Sequence, residues 1–291
     1  MHAESVAPTP VPRRSRGGLL VAGLAIALLL VLVIAYAVNS ARAVDAQVRE
    51  ADQALTLAMQ HRDAIDKAIN DYVDANVPSD PAAYKTLVDK DLPEVEAALQ
   101  TVRSDENAVK KADTKLESAT LLTLTKRQAQ ATEAKLTQSA RSGLANAEQV
   151  LLDVRDQLLM LQPLVEGVIE MRGLIAKAQV NDFNGALAGF PSAKEQVQVA
   201  LDRSHQADIP AEYGVLAGLL KSGLDALQQE ISAIQANNVS AIRQAQAQLQ
   251  ALSSQFDALK VRFDSVDASN RQMFQPLIDS YHKGVQAASV V

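Results

Sequence analysis

Carboxylate and histidine side chains are the groups in this sequence whose spacing could support metal chemistry. Asp279 and His282 are three residues apart, so a helix would place both on one face. The histidines are His2, His61, His205 and His282, and the sequence holds no Glu-x-x-His pair of the di-iron type. A metal site needs at least three protein ligands, so this single pair is more typical of a solvated contact. We therefore predict no metal site.

Other catalytic patterns are also missing from the sequence. It contains no glycine-rich phosphate loop, no Gly-x-Ser-x-Gly elbow and no Ser-x-x-Lys motif. It contains no cysteine, which excludes disulfides, thiolate metal ligands and a cysteine nucleophile, and which fits an envelope or secreted location. We predict no catalytic residue, no cofactor-binding residue and no enzymatic activity.

The stretch that organises the rest of the chain is Gly18 to Val38, which is 21 residues long and carries no charge. A helix of that length spans roughly 32 Å, enough to cross the hydrocarbon core of a bilayer. Arg13, Arg14 and Arg16 precede it, and an acidic region follows, which favours a cytoplasmic N-terminus. The sequence predicts a single-pass signal anchor at 18–38, with the C-terminal part outside the cytoplasm at the cell membrane.

Cleavage is the alternative fate of this segment. Ala35-Tyr36-Ala37 has the small-x-small form that a signal peptidase cuts, which would leave a secreted helical protein. The apolar run is longer than a typical signal-peptide core of about 7–15 residues, so we favour the anchor. Residues 1–17 are proline-rich and poor in apolar side chains, which predicts a short disordered cytoplasmic tail.

Everything after the apolar segment predicts helix. Aromatic residues make up 3% of the chain, and no run alternates as a strand would. The first helix is expected from about residue 40 to 76, with a coiled-coil-like seam and Arg62 at one seam position, where snorkelling at the edge is favoured over ion pairing. The seam consists of Val44, Val48, Ala51, Leu55, Ala58, Arg62, Ile65, Ile69 and Tyr72. A fold-back of the same chain is the favoured partner for this seam, and a second copy is the alternative.

The second half of the chain differs in composition from the first. Nine of the twelve glycines and seven of the ten aromatic residues lie from Gly143 onward. A faint repeat aligns the segments that begin at Ile175 and Ile231, each of which places an Asn-rich turn between two helices. We expect two αα-hairpins packed as a four-helix bundle, with Phe256 and Phe263 on one helix face.

The fold class is therefore all-α. The predicted organisation is a tail at 1–17, a transmembrane helix at 18–38, an Ala-rich helical hairpin or coiled-coil stalk at 41–142 and a helical bundle at 143–291. Asp80 is expected to cap a helix, with Pro81 at its first position, and Asp91 to cap another before Pro93. Whether 91–140 is one helix or two stays open. Pro163, Pro191 and Pro276 are expected to kink or split their helices, and a break is expected near residues 267–270.

The functional hypotheses rest on the net charge and on the order of the predicted segments. The net charge of −6 argues against nucleic acid as a partner. A membrane-anchored structural or protein-interaction role is the leading hypothesis, with a protein partner and with homo-oligomerisation as an option. The layout resembles that of bacterial sensor ectodomains, which implies the alternative of a ligand-binding protein that signals through a partner, with an apolar cavity near Phe183, Tyr213 or Phe256. The hairpin also resembles that of efflux adaptor proteins, without their β-rich domains.

Overall fold

The computed structural model describes the backbone of residues 16–73, 78, 80–118, 126–206 and 209–286, and within these ranges all side chains except those of residues 16–30, 261 and 263–270. The described chain is all-α and consists of six helices. They are α1 (Arg16–Val73), α2 (Pro81–Glu117), α3 (Arg127–Gln179), α4 (Phe183–Arg203), α5 (Ala211–Gln235) and α6 (Val239–Gln286). The all-α prediction is thereby confirmed for this part of the chain.

The long helix α3 is the centre of the fold. It packs against each of the other five helices. α2 runs along most of its length, from Gln130 to Arg172, which pairs with Asp80, while α4 runs back along its C-terminal part. α1 meets it from Lys126, which pairs with Asp45, to Gln157. α6 first follows α5 and then reaches the N-terminal part of α3 near Gly143. The boundary predicted at residue 143 falls inside α3, so the two predicted regions share this helix.

The predicted seam of α1 is buried within the same chain. Leu55, Ile65 and Ile69 are 2%, 0% and 1% exposed, and Val48 is half-buried. They belong to one hydrophobic core with the buried faces of α2 and α3. Arg62, at its seam position, is half-buried and forms an ion pair with Asp66, so pairing with a carboxylate replaces the favoured snorkelling.

Truncating this seam tests its placement. Leu55→Ala is expected to lower the free energy of unfolding by about 2–5 kcal/mol, because it removes a buried side chain and leaves a cavity. Lys67→Ala, in the same helix, removes surface ion pairs only and is expected to leave the free energy of unfolding nearly unchanged. Urea unfolding monitored by circular dichroism measures both values. Equal losses would show that the seam is wrongly placed.

The two Asn-rich turns of the repeat have the same geometry. Asn181 and Asn237 both adopt a left-handed backbone, with φ of 63° and 50°. In each turn the next residue donates its N–H back to the end of the preceding helix, from Asp182 to Lys177 O and from Asn238 to Ala233 O, both at 2.9 Å. Asp182 and Asn238 then cap the following helices through their side-chain oxygens. Asparagine tolerates this conformation better than most residues, which explains its place in both turns.

The predicted splits of helices are wrong, and the alternative of a kink at Pro163, Pro191 and Pro276 stays a prediction. Pro93, Pro163, Pro191 and Pro276 each lie inside a continuous helix. Asp91 does not cap a helix, because α2 runs through it from its true cap at Asp80, whose side chain accepts from Ala83 N at 3.1 Å. The backbone of α6 is also continuous across residues 267–270.

One open point is settled. α2 ends at Glu117 and α3 begins at Arg127, so 91–140 holds parts of two helices.

Two predictions fall on residues that the structure does not describe. Of the predicted tail at 1–17, residues 1–15 lie outside the described residues, and so does the side chain of Phe263.

The apolar segment continues into the bundle as part of α1 without a break. Among the residues described, no helix is long and apolar enough to cross a membrane. The side chains of residues 18–30 in the predicted span are outside that description. The anchor therefore stays a prediction.

Candidate functional site

One polar part of the core lies where α1 packs against α2 and α6. His61 of α1 contacts Asp105 of α2, with Nδ1 at 2.9 Å and 3.1 Å from the two carboxylate oxygens. The Asp105 side chain is fully buried, whereas that of His61 is 38% exposed. Burial raises the pKa of Asp105, and the hydrogen bond from His61 opposes that rise. The pair therefore joins α1 to α2 through a buried carboxyl group.

A second histidine joins α1 to α6. His282 Nε2 lies 2.8 Å from Asp66 Oδ1, and the other oxygen of Asp66 accepts from Arg62 at 3.3 Å. His282 also contacts the ring of Tyr281, with the ring centroids 5.5 Å apart. Asp66 thus binds Arg62 of its own helix, α1, and His282 of α6.

The predicted pair of Asp279 and His282 does not form a shared site. Asp279 is exposed and accepts from Gln275 at 2.9 Å, while His282 turns toward Asp66. His205 is exposed, and His2 lies outside the described residues. In the part of the chain that the structure describes, no group of three or more His, Asp or Glu side chains could hold a metal ion.

Tyr281 lies at the centre of this polar region. Its side chain is 0% exposed, and its hydroxyl has no hydrogen-bond partner among the described residues. Burial raises the pKa of the phenol well above its usual range, and the negative charges of Asp66 and Asp105 add to the rise. Tyr281 is one of the seven aromatic residues that follow Gly143, and its surroundings were missed because the charged groups around it come from distant parts of the chain.

Removing that hydroxyl tests whether it is a cost to the fold. Tyr281→Phe is expected to raise the free energy of unfolding by about 1 kcal/mol, because a buried unpaired hydroxyl costs about 1–3 kcal/mol and the ring packing is kept. Tyr84→Phe, at a partly buried position of α2, serves as the comparison and is expected to give no stabilisation. Thermal and urea unfolding report the difference. A loss of stability in Tyr281→Phe would mean that the hydroxyl binds a buried water.

Close helix contact brings Tyr281 into the core. Gly143 of α3 faces Gly284 of α6, and a Cβ built on Gly284 would lie 2.6 Å from Ser139 O and 2.9 Å from Gly143 Cα. Asn146 Nδ2 donates to Ser280 Oγ at 2.8 Å across the same interface. The absence of side chains at these two glycines therefore sets the distance between α3 and α6.

A second polar cluster lies on the face of α3 that meets α1 and α2. Glu133 is 4% exposed, and its Oε1 has no hydrogen-bond partner among the described residues. Burial raises the pKa of Glu133 to about 7, and the charge of Asp52 contributes further. The sequence signal was present but was missed, since Gln130, Glu133 and Thr137 recur at the spacing of a buried helix face.

Other polar groups tie α3 to its neighbours. Asp113 of α2 accepts from Thr137 Oγ1 at 3.1 Å and from Arg141 Nη1 at 2.8 Å. Further along, Tyr72 of α1 donates to Gln157 Oε1 at 2.5 Å, and Gln157 is fully buried. These contacts link α3 to α1 and α2 along much of their length, so they fix the register of the three helices.

Two surface grooves lie away from this core. One, of about 540 Å³, runs between α4, α5 and α6 and is crossed by the ion pair of Lys194 with Asp225. The other, of about 480 Å³, runs between α1 and α2, where Leu57 is 40% exposed beside Ala54 and Ala108. The first is lined mainly by polar side chains and the second has a small-residue apolar floor.

Comparison with known proteins gives no relative from which a function could be transferred. No family model, no curated protein and no solved structure matches this chain. The function is therefore argued from the geometry above.

Proposed function

We propose that this chain is a membrane-anchored helical scaffold, exposed outside the cytoplasm, that docks a protein partner and has no catalytic activity. The observation that carries the proposal is the apolar stretch of α1 below the bundle. Val31, Leu32, Val33 and Ile34 are 58–64% exposed, so successive residues around the helix are open to the surroundings. An apolar patch of this kind is costly in water and suits a lipid environment.

The continuation of α1 supports an anchor joined firmly to the bundle. The same helix carries the exposed stretch and, from Val44 onward, the buried seam. No flexible linker separates the two parts. The three arginines before the apolar segment support the orientation with the N-terminus in the cytoplasm.

The polar core supports a structural role over catalysis. His61 of α1 hydrogen-bonds Asp105 of α2, and His282 of α6 hydrogen-bonds Asp66 of α1. Such contacts hold helices in register. The rings of Phe183, Phe256 and Tyr213 pack against the hydrophobic core, which favours a scaffold over the alternative of a ligand sensor with a cavity at these positions.

The anchor is tested by membrane fractionation. The full chain is expected to stay with the membrane after an alkaline carbonate wash, and a variant lacking residues 1–38 is expected to appear in the soluble fraction. A reporter that works only outside the cytoplasm should be active when fused at Val291 and silent when fused before Arg13. A mature N-terminus at Val38 would support the secreted alternative and overturn the anchor.

The docking role is tested on the groove between α1 and α2, where Leu57 is 40% exposed beside Ala54 and Ala108. A photo-crosslinking amino acid at Leu57 is expected to capture one recurrent protein in intact cells. The same residue at Val199 of α4, which has a similar exposure of 37%, is the control. Equal capture at both positions would argue against a specific partner at this groove.

A further inference from the structure

The outer faces of α1 and α2 form one long groove. Its hollow of about 480 Å³ contains Leu57 and Ala108, and a second hollow of about 360 Å³ lies between Ala64 and Ala97. Leu57 and Ala64 are seven residues apart on α1, as Ala97 and Ser104 are on α2, so each pair shares a helix face. The two hollows therefore follow each other along one surface, which we call the outer groove.

Small side chains form most of the floor of the outer groove. Ala54, Ala64, Ala98 and Ala108 line it, and they leave room for another pair of helices to approach closely. Leu57 rises from this floor and is 40% exposed. Two such surfaces placed face to face fit each other, because the leucine of one meets the alanine-rich floor of the other.

Opposite charges lie level with each other at both ends of the outer groove. At the end nearer the apolar stretch, Glu50 of α1 and Lys111 of α2 both line it. At the other end, Lys67 of α1 lies 3.0 Å from Glu94 of α2. α1 is thus acidic where α2 is basic at one end, and the reverse holds at the other. This pattern complements itself when one copy is rotated by a two-fold axis.

Lys111 supplies a free cation for such a contact. It is exposed and has no ion-pair partner in the described part of the chain, whereas Glu50 pairs with Lys115 of its own chain. A carboxylate accepts hydrogen bonds from more than one donor, so Glu50 can keep Lys115 and also receive a lysine from outside. At the other end Lys67 and Glu94 are already paired within the chain, so they match charge without a new cation.

We propose that the outer groove binds a second copy of this chain, with the two copies side by side and parallel. The two-fold axis runs along the helices, so that α1 of each copy lies over α2 of the other at the same height. Glu50 then meets Lys111 of the second copy, and Leu57 packs on the floor around its Ser104.

An antiparallel pair would match the same charges, because Glu50 would then lie opposite Lys67 of the second copy. The proposed anchor excludes this pair, since two chains that leave one side of one membrane run in the same direction. The inference thus rests on the proposed function. It names the docked partner, and it takes the orientation of the pair from the anchor.

The size of the outer groove fits an association that depends on the membrane. From residue 50 to residue 68, α1 is about 27 Å long, and two neighbouring helices are roughly 20 Å wide. Each copy would cover about 500 Å², or about 1,000 Å² in total, which is the lower limit for a specific interface. Such a contact is weak in dilute solution, but anchoring both copies in one membrane raises their effective concentration.

Cysteine crosslinking between separately tagged copies tests the pairing. The chain has no cysteine, so one copy carries Gln53→Cys and the other Asn107→Cys, at exposed positions on opposite sides of the same hollow. Each copy then has a single cysteine, so a disulfide between the two tags joins two chains. Mild oxidation of membranes that contain both full-length chains is expected to link them. Absence of this link would overturn the proposal.

The combination of Gln53→Cys with Ala64→Cys reports the opposite orientation. In the parallel pair these positions differ by about 16 Å in height, beyond the roughly 7 Å between Cα atoms that a disulfide spans. We therefore expect no link. A link here without one between positions 53 and 107 would mean an antiparallel pair, which contradicts the proposal.

Charge reversal tests whether the link is specific. Lys111→Glu is expected to lower the yield of the link between positions 53 and 107 about ten-fold, because it turns two attractions between the copies into repulsions. Glu50→Lys is expected to act in the same way. The two changes together in every chain are expected to restore the link, since the opposite charges have then only exchanged helices.

The matched control is Lys110→Glu, at an exposed lysine of α2 that does not line the groove. It is expected to leave the yield of the link unchanged. If the combined change fails to restore the link, or if Lys110→Glu lowers it as much as Lys111→Glu, the charges of the groove do not pair between copies and the proposal fails.

The identity of the protein captured at Leu57 separates this inference from the proposed function. Capture of a second copy by photo-crosslinking at that position supports both. Capture of one different protein, without a link between copies, leaves docking at the groove in place and overturns the second-copy proposal. No specific capture and no link would count against both.

Discussion

Gly284→Ala is expected to lower the free energy of unfolding by about 2 kcal/mol or more. The added methyl group would lie 2.6 Å from Ser139 O and 2.9 Å from Gly143 Cα, and both are backbone atoms that cannot turn aside. α3 and α6 must therefore separate. Overpacking costs about 1–3 kcal/mol and occasionally more, and the two rigid backbone contacts place this change at about 3 kcal/mol or above. The better helix propensity of alanine returns only about 1 kcal/mol. Urea unfolding monitored by circular dichroism measures the net loss.

The matched control for this change is Gly173→Ala in α3. Nothing lies within 4 Å of a Cβ at that exposed position, so the gain in helix propensity should appear alone. We expect a stabilisation of about 1 kcal/mol. If both substitutions change stability in the same direction, α3 and α6 do not approach as closely as their glycines indicate.

Phe190→Ala is expected to have the other large effect, a loss of about 3–5 kcal/mol. Phe190 is 0% exposed, and its helix α4 packs between α3 and α5. Removal of the ring takes away a large apolar surface and leaves a cavity that stiff neighbouring helices fill only in part. Val199→Ala in the same helix, at 37% exposure, is the control and should cost about 1 kcal/mol or less.

One shared transition is expected from these variants. α3 runs through the region around Leu55 and the region around Phe190, so neither can unfold without disturbing it. Differential scanning calorimetry of Leu55→Ala and Phe190→Ala should show one transition that moves as a whole. Two separate transitions would mean that the regions before and after Gly143 are independent folding units.

Local signals in the sequence were sufficient for several elements of this fold. The apolar spacing of α1 predicted the residues that are buried, because a period of about 3.6 residues reports the facing side of a helix. Asp80 before Pro81 predicted the start of α2, since a cap and a first-turn proline act within a few residues. Asn181 and Asn237 predicted two hairpin turns for the same reason.

The wrong predictions concern residues whose local preference is overridden by packing. Pro163 removes one backbone hydrogen bond, a cost that ends a weakly packed helix. Here it is itself buried, with Leu161, Leu164 and Val165 buried beside it, and the helix continues. Asp91 has the preference of a helix cap, but α2 already begins at Asp80 and carries Asp91 on its buried face.

The polar sites could not be predicted because their partners are far apart in sequence. His61 bonds to Asp105 and His282 to Asp66, across two different pairs of helices. Periodicity shows which face of a helix is buried, but it does not show which residue of another helix lies opposite. The pairing depends on helix register, and the register depends on contacts such as that of Gly143 with Gly284.

The unbroken course of α1 also fixes a rotational phase. Each residue of an α-helix turns the chain by about 100°. The number of residues between Val38, where the exposed apolar stretch ends, and Val44, the first buried seam residue, therefore sets how the apolar end is rotated relative to the bundle. One residue inserted there would swing the apolar end by about 100° relative to the rest of the molecule, whereas seven would bring it back to within roughly 20° of its starting orientation and raise the bundle by about 10 Å. Because no linker interrupts this helix, a change in its length alters both the distance and the rotation between the apolar end and the bundle.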